Sequence, residues 1–230
     1  MRYTQPEITA QLKFEITNSM RKIKLFAILI PSLFIVSNLF IYLSNAELFH
    51  YKIISVASFN IIGIPNRWFI NIGDYYFPGI FICLFSFSLY QEARTKIVKI
   101  GSTFILMSGI AWILLGILPS TSTNEAIYWY IHLINIAVIY IFGIFGLLFL
   151  SESNKFVTKT KLFRTITLTI VTLMIVEMIF SFMNEFLNIS SNIIWTLFFI
   201  WFAIFGLLMP RSYDGSLPDR LDEVAKPGSV

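Results

Sequence analysis

The chain has 230 residues, of which 57% are hydrophobic and 17% aromatic while only 13% are charged, and its mean hydropathy is +0.75. A water-soluble fold of this length has too little interior to hide so much apolar surface, so the composition excludes a soluble globular domain and selects a compact multi-pass membrane protein. The net charge of +4 does not call for nucleic acid, because the cations are sorted along the chain and not gathered into a patch.

Residues 1–22 read as a cytoplasmic amphipathic helix: Pro6 suits a first turn, and Ile8, Leu12, Ile16 and Met20 recur every fourth residue. Such a helix lies along a membrane surface. The first span runs from Ile23 to Ser44 behind Arg21, Lys22 and Lys24, and contains Pro31 and Asn38. Ser44-Asn45-Ala46 resembles a processing site, but the apolar run exceeds the roughly 7–15 residues of a signal peptide, so an uncleaved span is expected.

Residues 45–73 form one long outer connection, too apolar for a free loop, with Phe49, Ile53, Phe59, Trp68 and Phe69 among few charges. It should lie at the interface or fold over the mouth of the bundle, with Arg67 at headgroup level. The second span covers Asp74 to Gln91, Asp74 standing where a helix N-cap belongs.

Two runs, Ile97–Leu118 and Ile127–Leu150, are separated only by the polar turn 119–126. Each is longer than the roughly 20 residues that cross a ~30 Å hydrocarbon core, so they form a transmembrane hairpin. Ser102, Gly109 and Gly116 are spaced by seven, a narrow stripe that predicts a helix–helix seam. On the next span His132, Asn135, Gly143 and Gly146 fall on one side, which is expected to face protein.

Residues 151–161 are a basic inner loop, Leu162–Met183 the fifth span, 184–191 an outer turn and Asn192–Met209 the sixth span. The tail 210–230, mixed in charge and without periodicity, is expected to be disordered. Ile-Phe-Gly-Leu-Leu occurs at 144–148 and again at 204–208, which raises the question of duplicated hairpins. Of the 17 Lys and Arg residues only Lys52 and Arg67 fall on the outer side of this arrangement. The positive-inside rule then makes both termini cytoplasmic. The expected fold is an all-α polytopic bundle of six transmembrane helices at 23–209, in the plasma or inner membrane.

Polar groups inside spans are costly and therefore informative. An ionised Glu177 at its depth costs ~2.5–3.5 kcal/mol or more unless protonated or paired. Ser181 follows it by four residues, and His132, Asn135 and Asn38 sit at a comparable distance from the outer ends of their spans. These five residues define an expected outward polar pocket roofed by 45–73. Its occupant would be a lipid-like or small amphipathic molecule; a scaffold role, with the same groups locking helices together, fits equally. His132 and Glu177 could instead act as a general acid–base pair on a lipid headgroup, or Glu177 could be the protonation site of a small carrier.

Other chemistries find no support in the residue pattern. Two histidines and one cysteine give no zinc ligand set of usual spacing, and no other metal or cofactor is implied. Cys83 cannot form an intramolecular disulfide. There is no Gly-rich phosphate loop, nucleophile elbow, mid-span lysine or voltage-sensor pattern.

Three places together resemble the prokaryotic multi-pass family catalogued as domain of unknown function 998. They are Ile53-Ile-Ser-Val-Ala-Ser58 leading to Asn66-Arg-Trp-Phe-Ile-Asn-Ile-Gly73, Leu115-Gly-Ile-Leu-Pro119 followed by His132, and Asn184-Glu185 ahead of Trp195. The resemblance covers about residues 23–209. It implies a bundle of six to seven helices whose shared polar residues cluster near the outer turns, and it supplies no reaction.

Overall fold

The computed structural model describes residues 5–44, 67–117, 126–152, 157, 159–183 and 188–209. Helix α1 is Gln5–Ser44. Helix α2 is built from Arg67–Ile70, a π-helical turn Asn71–Tyr76 and Phe77–Glu92. Helices α3 to α6 are Lys96–Ile117, Ala126–Ser151, Thr160–Met183 and Asn188–Leu208.

The described chain is thus the expected all-α membrane bundle. Five stretches are long and apolar enough to cross a bilayer: Asn18–Phe40, Asn71–Glu92, Lys96–Ile117, Tyr130–Ser151 and Thr160–Ile179. Helix α6 has 21 residues, of which Trp195–Leu208 form a shorter apolar stretch. The tail 210–230, the turn 118–125 and most of the roof, 45–66, lie outside the described residues.

Besides α6, which begins at Asn188 inside the expected outer turn 184–191, two boundaries differ from the sequence reading. Residues 5–22 are helical as expected, but they run without a break into the first span as one 40-residue helix. At ~1.5 Å per residue that element is about 60 Å long, twice a hydrocarbon core. Nothing in Arg21-Lys-Ile-Lys24 breaks a helix, so the polar-to-apolar change alters the surroundings of α1 and not its backbone.

The second difference concerns α2, which begins at Arg67 and so takes in residues assigned to the outer connection. Asp74 is therefore an interior helical residue and not an N-cap. Pro78 stands inside this continuous helix, two residues past the π turn, and withholds one N–H from its ladder.

Each helix packs on its neighbours in sequence, and α6 returns to pack on α1, closing a ring. One close seam joins α2 and α3. A Cβ on Gly79 would lie 3.0 Å from the Gly109 carbonyl oxygen and 3.1 Å from the Ile113 nitrogen, and one on Gly109 would lie 3.2 Å from the Cys83 nitrogen. Only hydrogen at both positions permits this backbone approach. The stripe Ser102, Gly109, Gly116 is accordingly buried, with Gly116 against Tyr75 and Tyr76.

The interior of the ring is filled by aromatic side chains, five of them from α6. Phe198, Phe199, Trp201, Phe202 and Phe205 are wholly buried. Phe199 meets Phe34 of α1 and Trp112 of α3, Phe202 and Phe205 meet Phe85 of α2, and Trp201 meets Phe163 of α5. The one polar atom of Trp201 is satisfied, its Nε1 donating to Thr167 Oγ1 at 2.8 Å while that hydroxyl donates to the Phe163 carbonyl at 2.8 Å. Outward faces are equally apolar: Val36, Leu39, Leu43, Ile134 and Leu207 are all more than half exposed, as a lipid-facing surface requires.

The two copies of Ile-Phe-Gly-Leu-Leu are turned differently. Phe145 is exposed and Leu147 buried, whereas Phe205 is buried and Leu207 exposed. The shared residues do not play matching parts in the two helices.

Candidate functional site

Apart from the Trp201–Thr167 bond near the opposite end and Ser108 to the Ile139 carbonyl at mid-helix, the buried polar side chains described as joining one helix to another lie toward the end of the bundle where α1, α3 and α5 finish and α2, α4 and α6 begin. Helix α3 is gripped there from both sides. Asn71 Nδ2 donates to the Gly116 carbonyl at 3.0 Å, Trp112 Nε1 donates to the Asp74 main-chain carbonyl at 2.7 Å, and Asn135 Nδ2 donates to the Ala111 carbonyl at 2.8 Å. Asn38 Nδ2 donates to Phe34 O at 2.7 Å and to Asp74 Oδ1 at 3.2 Å, adding α1 to the same network.

Amides serve this purpose because each NH2 can reach a carbonyl that its own helix ladder leaves with a free lone pair. In hydrocarbon the alternative, an unmade hydrogen bond, is expensive. The aromatic rings around them exclude competing water: Trp112 lies against Tyr75, Trp195 and Phe199.

The five residues expected to line one pocket are distributed as follows. Asn38 belongs to the α1–α2 contact through Asp74. Asn135 and His132 are buried on α4, 7% and 3% exposed, on the face that also carries the buried Gly143 and Gly146. The side chain of Ser181 lies outside the described residues.

Glu177 is 4% exposed and accepts a hydrogen bond from the Tyr140 hydroxyl. Tyr140 stands eight residues after His132 on α4, about two turns or ~12 Å deeper. Glu177 is thus engaged by a residue of α4 about two turns along from His132.

Four polar atoms in this region are buried without a hydrogen-bond partner: Ser37 Oγ, Asn71 Oδ1, Asp74 Oδ2 and His132 Nδ1. Most buried polar groups are paired, and leaving one unpaired costs about 1–3 kcal/mol. Four at one end of a bundle mark it as the place to look for a ligand.

Ser37, Asn71, Tyr140 and Trp112 were not singled out by the sequence. Ser37 and Asn71 are common in turns and helix ends, and nothing in an apolar run distinguishes a tyrosine that faces a carboxylate from one that faces lipid. A usable signal was present at Asn71 and Asp74, two strong hydrogen-bonding residues one turn apart at the edge of a span. No family model, no curated protein and no solved structure matches this chain.

Proposed function

We propose that this integral membrane protein is a binding protein whose outer end receives a small amphipathic or lipid-like molecule, with the headgroup hydrogen-bonded to His132. The carrying observation is the His132 ring: 3% exposed, with Nδ1 unpartnered. A neutral imidazole can donate or accept at Nδ1 according to its tautomer, so a hydroxyl or amide headgroup completes it in either state. Tyr130, Ile134 and Ile141 form an exposed stripe beside it on α4, a surface along which an acyl chain can lie.

In this reading the cation asymmetry along the chain orients the His132 end toward the exterior of a prokaryotic plasma or inner membrane, with both termini inside. Membership of the family catalogued as domain of unknown function 998 belongs to the same reading. Its support is the segment Leu115-Gly-Ile-Leu-Pro119 followed by His132.

The test is retention of lipid by the detergent-purified protein, followed by native mass spectrometry during titration with diacylglycerol and phosphatidylglycerol. The wild type should hold one adduct that His132→Phe, which keeps the ring and removes both nitrogens, loses, while Ile134→Ala changes retention less. Equal retention by the wild type and His132→Phe would overturn the proposal.

A further inference from the structure

We propose that Ser37 and Asp74, where α1 crosses the π turn of α2, form a site for a monovalent cation of sodium's size. Asp74 is wholly buried and Ser37 is 3% exposed. One carboxyl oxygen, Oδ1, takes the Asn38 amide at 3.2 Å, while Oδ2 has no partner. Ser37 Oγ, the hydroxyl beside this carboxyl, makes no hydrogen bond of normal geometry either. A buried carboxyl oxygen and a buried hydroxyl thus stand against each other, and neither has a further partner.

The backbone is shaped around this juxtaposition. A Cβ on Gly73 would fall 2.7 Å from Ser37 Cβ, so only glycine lets the serine lie against the turn that carries Asp74. That turn is π-helical, a departure from α geometry that often accompanies function. Its position is fixed from the far side by Trp112 Nε1, which holds the Asp74 carbonyl at 2.7 Å. Asn71 Oδ1, on the same turn, is a further buried oxygen without a partner.

Charge and donor type select the ligand. Among the described residues the one ion pair is Arg164–Glu152, at the other end of the bundle from Asp74, so no described basic side chain pairs with this carboxyl group. A single monovalent ion neutralises its ionised form completely, whereas a divalent ion would leave a surplus charge in a low-dielectric interior. Hydroxyl, amide and carboxylate oxygens are hard donors that suit alkali ions and not thiophilic or imidazole-seeking metals. The site lies on α1 and α2 and does not depend on the occupancy of His132.

The experiment is thermal unfolding of the full-length protein in detergent with NaCl, KCl or choline chloride at matched ionic strength. Sodium should raise the melting temperature saturably, by about 3 °C at tenfold excess over its Kd, with a smaller rise in potassium and none in choline. Asp74→Asn and Ser37→Ala should abolish or markedly weaken the sodium-specific rise. Identical melting of the wild type in sodium and choline overturns the proposal, as does a full sodium rise in Asp74→Asn. Should Asp74→Asn fail to fold, Ser37→Ala decides alone: an unchanged midpoint for sodium in that variant overturns it.

Discussion

The Tyr140 hydroxyl donates to the Glu177 carboxyl, so α4 and α5 are tied together inside the membrane by a phenol and an acid, both buried. Trp195 of α6 stacks on the Tyr140 ring with centroids 4.6 Å apart. A costly acid is thereby placed at the meeting point of three helices, where its removal is felt by all of them.

Tyr140→Phe should destabilise the bundle, because the ring packing survives while the carboxyl loses a donor. Interhelical hydrogen bonds in membranes average ~0.6 kcal/mol and reach ~1.7, and an acidic partner favours the upper part of that range. Glu177→Gln keeps an acceptor oxygen for the tyrosine and should cost less. Unfolding of the two single variants and the double variant in mixed micelles, analysed as a double-mutant cycle, measures the coupling; a value near zero would show that the pair contributes nothing.

Gly79→Ala should be poorly tolerated and Gly143→Ala well tolerated. A methyl at Gly79 meets fixed backbone of α3 at 3.0–3.1 Å, while at Gly143 the nearest atom is Phe198 Cε2 at 3.4 Å. Forcing α2 and α3 apart should cost about 1–3 kcal/mol, against less than about 0.5 kcal/mol at Gly143. Yield of monodisperse protein and its melting temperature distinguish the two.

Asn135→Leu should be milder than its burial suggests. The amide gives one bond to the Ala111 carbonyl at 2.8 Å, and that oxygen keeps its place in the α3 ladder when the amide is gone. A loss near ~0.6 kcal/mol is expected. A loss above about 2 kcal/mol, measured by the same unfolding assay, would mean that Asn135 supports more than this contact.

Orientation is testable by cysteine labelling in a Cys83→Ala background. Arg94→Cys, in the basic turn between α2 and α3, should react with a membrane-impermeant maleimide only after the cells are opened. Ser122→Cys, in the turn between α3 and α4, should react in intact cells. The reverse pattern would invert the assigned topology.

Exposed ion pairing should matter little here. Arg164 and Glu152 approach to 3.1 Å with 59% and 42% of their side chains exposed, a setting in which solvent screens the attraction. Arg164→Gln should leave the melting temperature within about 1 °C.

Much of the architecture was legible in the chain. The long apolar helices and the buried side of α4 follow from runs of apolar residues long enough for a bilayer and from the positions of Gly143 and Gly146. The expectation that Asp74 caps a helix failed because nothing in Arg67–Gly73 stops a helix from starting earlier. Asn38 and Asn135 were recognised as polar groups inside spans, but their partners, a carboxylate on α2 and a carbonyl on α3, could not be named.

Composition and the order of residues determined that this chain carries helices long and apolar enough for a bilayer and where along them its polar groups fall, because crossing hydrocarbon demands length and apolarity along each helix. Which face of each helix turns inward was decided only by the tertiary structure. Phe205 and Leu207 are equally apolar, yet one is wholly buried and the other 66% exposed. Where lipid and protein interior are alike to a side chain, hydrophobicity cannot choose between them; close fit and the pairing of a few hydrogen-bonding groups must.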